Sequence, residues 1–172
     1  MTEHDDTPTA GAPTTRRGEA TPAPRALLTF RSGPCTFGVY ADEADAVVSF
    51  DRAAPLPFAP PPVLGVITAR GRMRTLIDSL RLLRRETNQA DSEQPETTPT
   101  LAVILKGDEQ LALAVEHEAG AVQISPSDIT PPDPPHDFAR GTVEHAGARV
   151  HVLDPARLFD AAVRGAERRR PR

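Results

Sequence analysis

The chain has no tryptophan, one tyrosine and one cysteine, and aromatic residues make up 4% of its 172 positions. Nucleic-acid binding in small barrels relies on aromatic stacking platforms set in basic grooves. This composition supplies neither, because the net charge is −4. The same charge gives bulk electrostatics no reason to draw the chain to an anionic membrane. The solitary Cys35 excludes an internal disulfide and a cysteine-rich metal centre, and suits a reducing compartment. No stretch reaches the ~20 apolar residues that a membrane-spanning helix needs, so no membrane insertion is expected. Residues 1–25 mix Pro, Thr, Ala and both charge signs without an apolar run. They resemble neither a signal peptide nor an anchor, and the expected location is the cytoplasm. Phosphate-cradling loops are missing too: the glycines are isolated, and neither GxGxxG nor GxxxxGKS/T occurs.

What the chain does have is an internal echo. Gly65 to Leu83 lies over Gly141 to Phe159 at a shift of 76 without a gap. Gly65/Gly141, Gly71/Gly147, Asp78/Asp154, Arg81/Arg157 and Leu82/Leu158 are identical, and apolar positions between them stay apolar. A weaker echo at a shift of 74 pairs Leu28 to Val48 with Ala102 to Val122. Two related halves, about 26–83 and 101–163, account for most of the chain and predict two similar lobes sharing a core. Residues 1–25 read as a disordered tail, 84–100 as an exposed polar loop and 164–172 as a basic tail.

Between these segments the texture is β. Ala26 to Phe30 with Thr36 to Tyr40, and Leu101 to Leu105 with Gln110 to Val115, read as one hairpin used twice. Val63 to Ala69 with Met73 to Ile77, and Gly141 to His145 with Arg149 to Leu153, supply a further hairpin per half, each turning at glycine. Short helical segments are expected at Glu43–Val48, at Asp78–Arg85 and at Pro155–Arg164, the last with Asp154 as N-cap and Pro155 at the first helical position. The proline-rich runs 53–62 and 130–135 read as extended connections. Many short strands with few helices indicate small barrels rather than a doubly wound sheet.

No active site emerges from the residues. Cys35 falls in a predicted hairpin turn, beside Pro34 and Thr36, without a basic neighbour in sequence to activate it. His145 and His151 lie on adjacent predicted strands but lack the further ligands zinc needs. Asp78 and Asp154 each follow an apolar strand and precede a helical segment, which suits N-capping better than acid–base work. Neither a metal nor a cofactor is expected. Arg70 is different: it faces Ala146 in the echo and occupies a hairpin tip, where a guanidinium can pair with a partner carboxylate.

These segments resemble CheW-like domains, the coupling proteins of bacterial chemosensory arrays. Gly65-Val66-Ile67-Thr68-Ala69-Arg70-Gly71 with Leu76-Ile77-Asp78 is similar to the signature GVxNLRGxxxPVxDL. Leu28 to Val39, Pro57 to Gly65, Leu101 to Glu116, Ser125 to Pro132 and Phe138 to Phe159 resemble further family segments in the same order, over about 26–163. The resemblance implies a mainly β fold of two packed, SH3-like, five-stranded barrels with few short helices, one of them C-terminal. It implies a non-enzymatic adaptor that binds the regulatory domain of a CheA-type histidine kinase and the cytoplasmic tip of a chemoreceptor. In that reading Arg70 contacts the receptor beside a groove lined by apolar positions such as Val47, while Gly65 and Gly71 shape the hairpin. The sequence departs from the pattern at Thr68-Ala69, Thr75 and Ser79-Leu80, and Ala46 stands where an acidic residue often precedes the groove. A scaffold in a pilus, gliding or other sensory pathway is the alternative, and an SH3-like nucleic-acid binder using the arginine-rich end is a third reading.

Overall fold

A computed structural model describes residues 22–87, 98–133 and 135–164. The readings of residues 1–21, 88–97 and 165–172 as tails and loop lie outside the described residues. In chain order the elements are β1 (Arg25–Ser32), β2 (Cys35–Tyr40), a 3-10 turn (Ala41–Glu43), β3 (Ala44–Ser49), β4 (Val63–Ala69), β5 (Arg72–Ile77) and α1 (Ser79–Glu86). They continue as β6 (Leu101–Leu105), β7 (Leu111–Val115), β8 (His117–Ile124), a 3-10 turn (Pro126–Asp128), β9 (Ala139–His145), β10 (Ala148–Leu153) and α2 (Pro155–Arg164). All four expected hairpins form. Glu43–Val48 is not helical: Glu43 ends the 3-10 turn and the rest is β3, whose pairing with β6 overrides the helical leaning of its Ala and Glu. Arg25 belongs to β1, and residues 84–86 of the expected loop are the end of α1.

The mainly β chain forms two five-stranded sheets, with orders β8-β1-β2-β10-β9 and β3-β6-β7-β5-β4. Neither sheet is one half of the echo. Each half lends its first hairpin to the other: β1–β2 pairs in parallel with β10 through Val150↔Thr36, and β6–β7 with β5 through Thr75↔Leu111. The expectation of one lobe per half is therefore corrected to interlocked halves, a pairing invisible to local periodicity.

Both sheets close on themselves in the same way. The chain after β3 returns so that Ala54 bridges Val66 on β4, and the chain after β8 returns so that Thr130 bridges Thr142 on β9. The two bridges are related by the echo's shift of 76. A Cβ built on Gly65 would lie 2.2 Å from the Ala54 carbonyl oxygen, and one built on Gly141 would lie 2.2 Å from that of Thr130. The repeated glycines thus mark where a strand is crossed too closely for any side chain.

Alternation along the strands divides the core into three clusters. Leu27, Tyr40, Val150 and Val152 fill the first barrel, and Ile67, Leu76, Ile104 and Ala112 the second. The largest cluster lies between the barrels, where Phe30, Phe37 and Val39 meet Val103, Leu113 and Ile77 under both helices. Leu80, Leu82 and Leu83 of α1 and Leu158, Ala161 and Ala162 of α2 are buried there. Arg85 ties the helices together by donating to the Ala161 and Ala162 carbonyls in the last turn of α2. Arg140 on β9 donates to Glu43 at 3.0 Å and to Asp154 at 3.4 Å, joining the first barrel to the turn that enters the second.

Candidate functional site

Carboxylates at the helix starts are structural. Asp78 is buried and accepts from the backbone N–H groups of Leu80 at 2.9 Å and Arg81 at 3.1 Å. Burial raises its pKa above the usual carboxylate value, and these bonds and Arg81 oppose the shift. Asp154 likewise accepts from Ala156 N–H at 3.2 Å. Cys35 is not in the turn, which is Gly33-Pro34, but is the first residue of β2, paired with Ser32; it is half-buried, with its thiol pKa pushed up by burial and only partly offset by Arg84. That is the opposite of an activated nucleophile. His151 lies opposite Thr142 and His145 opposite Ala148, so the two histidines do not share a site. Among the described residues no group of three or more His, Cys, Asp or Glu could hold a metal.

The β4–β5 hairpin is built for display. Ala69 pairs with Arg72, leaving Arg70-Gly71 as a two-residue turn. Both residues have positive φ, 52° and 72°, as a type I′ turn demands; Ala146 and Gly147 repeat this at 49° and 75°. Such a turn is compatible with the strand twist, and it holds Arg70 in a backbone conformation that a non-glycine residue adopts only where the surroundings impose it. The Arg70 side chain is 59% exposed and its Nη1 lies 3.2 Å from Asp45 Oδ2. Asp45 is the extra residue of a bulge, since Ala44 pairs with Leu105 and Ala46 with Ile104. The bulge takes Asp45, one residue before Ala46, out of the regular pairing with β6 and sets its carboxylate within reach of Arg70.

The four residues singled out from the sequence do not form one patch. Arg70 and Gly71 share the tip. Gly65 is buried at the barrel closure with φ of 139° and acts only on the hairpin's path. Val47 lies on β3, two residues beyond Asp45, opposite Val103, and is half-buried against the cluster between the barrels. Two further residues on or beside the hairpin, Asp45 and Met73, were not singled out, and a third, Arg74, reads from the sequence only as added positive charge around the tip. Asp45 is hidden by the bulge. Met73, opposite Thr68, is 71% exposed beside the tip. Arg74 is 7% exposed in spite of its charge. The exposed rings elsewhere include Phe58, which stands clear of the proline-rich connection with φ of 59°.

The hairpin and its two-barrel setting have counterparts. The model of the CheW-like domain family matches residues 26–163. A chemotaxis protein CheW of Rhizobium meliloti (strain 1021) is 28% identical over 148 residues, covering 83% of this chain and 92% of that protein. The crystal structure of the scaffolding protein TtCheW from Thermoanaerobacter tengcongensis superposes with a TM-score of 0.63 at 18% identity, covering 80% of this chain and 88% of that one. That structural likeness establishes the shared two-barrel β fold.

Proposed function

Because this chain belongs to the CheW-like domain family, we propose that it is a non-enzymatic adaptor that couples chemoreceptors to a CheA-type histidine kinase. The observation that carries the reading is the presentation of Arg70: an exposed guanidinium on a rigid type I′ turn, pre-oriented by Asp45 and flanked by an exposed Met73. A preordered arginine beside an apolar side chain makes a recognition hot spot, since little rotamer entropy remains to be lost on binding. The receptor tip contacts this hairpin, and Gly71 and Gly65 serve it by setting the turn and the strand path. Val47 supports the adjoining β3 edge from below.

The kinase's regulatory domain engages a different face, so that both partners bind together. Among the described residues no helix is long and apolar enough to cross a membrane, and recruitment to a receptor array then depends on these protein contacts. Co-purification with a receptor-tip fragment and with the regulatory domain of a co-expressed CheA-type kinase tests the reading. Capture of both supports it, and capture of neither overturns it.

A further inference from the structure

Arg74 occupies an inward position that the adaptor reading leaves unexplained. Strand alternation places it on the face of β5 that carries Leu76, which is fully buried in the second barrel. Its Nε is buried without a hydrogen-bond partner, and among the described residues no carboxylate lies within ion-pair distance of its guanidinium. Of the guanidinium nitrogens Nε alone is both buried and unpartnered; leaving a buried donor unmet is unfavourable, and an apolar side chain of similar volume would fill the same space without that cost. Beside this strand, Gln110 accepts the Thr75 N–H through its backbone carbonyl at 2.9 Å, and its side-chain Oε1, an acceptor, is buried without a partner and does not meet the Arg74 Nε. Gln110 also has φ of 52°, so two of the four non-glycine residues with positive φ, Arg70 and Gln110, flank this strand. Asp45 at this end of the barrel is committed to Arg70, and Asp108 and Glu109, in the turn that leads into Gln110 and β7, form no ion pair with Arg74 among the described residues.

We propose that Arg74 is the base of a carboxylate-binding site at the hairpin end of the second barrel, and that it receives an Asp or Glu side chain of the protein that docks on the Arg70 tip. The inference rests on the adaptor reading and deepens it by naming the partner's chemistry. Arg70, Arg72 and Arg74 place three guanidinium groups within five positions, and among the described residues only that of Arg70 is paired with a carboxylate. A carboxylate is planar and takes two parallel N–H bonds from one guanidinium, so an inserted acidic side chain satisfies what the free protein leaves open. The exposed Met73 on the outer side of the same strand extends the surface to the dimensions of a protein contact rather than of a small free anion.

The test measures affinity for a receptor-tip fragment, with the kinase regulatory domain as control, for the wild-type chain, Arg74→Met and Arg74→Lys. Arg74→Met should lower receptor affinity at least tenfold, leave kinase binding unchanged, reduce the salt dependence of receptor binding, and melt at the same or a higher temperature. Arg74→Lys, which keeps charge but not the fork, should lie between the two. Neutralising the fragment's acidic residues one at a time needs no change in this chain. One such variant should lose affinity for the wild type and lose no more on Arg74→Met. If the wild type binds the fragment and Arg74→Met binds equally well, or if no acidic residue of the fragment couples to Arg74, this inference is overturned and the adaptor reading stands. If the wild type binds neither partner, the adaptor reading fails and the carboxylate site falls with it.

Discussion

Replacing Gly141 with alanine probes how the first barrel closes. The added Cβ would sit 2.2 Å from the Thr130 carbonyl oxygen and 2.5 Å from Ile129 Cγ2, and Gly141 itself has ordinary backbone geometry, so the effect is one of space alone. Ordinary contact requires the Thr130 backbone to retreat by ~1 Å. That movement stretches two hydrogen bonds, Thr130 N–H to the Thr142 carbonyl at 2.9 Å and Thr142 N–H to the Thr130 carbonyl at 2.8 Å. Two backbone bonds weakened at about 1 kcal/mol each, with an overpacking strain of about 1–3 kcal/mol, give an expected loss of roughly 3–5 kcal/mol. For a chain of this size the loss corresponds to a melting temperature lower by about 5–20 °C. Gly147→Ala supplies the control, because its Cβ meets nothing within 4 Å and only its φ of 75° is strained. It should lose about 1–2 kcal/mol. Urea unfolding of both variants reads the difference; equal stability of Gly141→Ala and wild type would refute the closure argument.

Asp78→Ala removes two backbone acceptor contacts at the start of α1 and should cost about 1–2 kcal/mol in urea unfolding, whereas Asp78→Asn, which can still cap, should lose less. Acid should destabilise the fold through His136 and His151. Burial pushes both pKa values down, opposed at His136 by Glu86 and reinforced at His151 by His136 and Arg149. With the folded-state values depressed, the unfolded chain takes up these protons first. Stability is then complete above the unfolded value of about 6.5 and falls as pH drops through it toward the folded-state values. Melting temperatures at pH 7.5 and 5.5 should show that fall, and His151→Leu should flatten it; a rise toward pH 5.5 in the wild type would count against the account.

The hairpins were legible because each joins alternating apolar positions through a glycine turn, and α2 because Asp154-Pro155 is a start signal independent of tertiary context. The strands β3 and β8 were not. Ala44–Ser49 carries helix-forming residues, and His117–Ile124 alternates weakly around Gly120, so each becomes a strand through pairing with a distant partner, β6 or β1. The interlocking of the halves escaped for the same reason, since the parallel pairings β2–β10 and β5–β7 leave no local trace. At the site, Arg70 stood out by breaking the echo. Its partner Asp45 did not, because the bulge shifts the register by one residue. Arg74 reads, with Arg72, as added positive charge around the Arg70 tip, and its burial at 7% exposure shows only once β5 takes its place in the barrel.

The adaptor account turns most directly on Arg70→Glu. The substitution reverses the charge at an exposed position and places a second carboxylate beside Asp45, while Arg70 belongs to none of the three core clusters. Measured side by side against a receptor-tip fragment and the kinase regulatory domain, the variant should lose receptor capture at least tenfold. Its kinase capture and melting temperature should stay close to wild type. Undiminished receptor capture, or equal loss of both partners in a folded protein, would contradict the account.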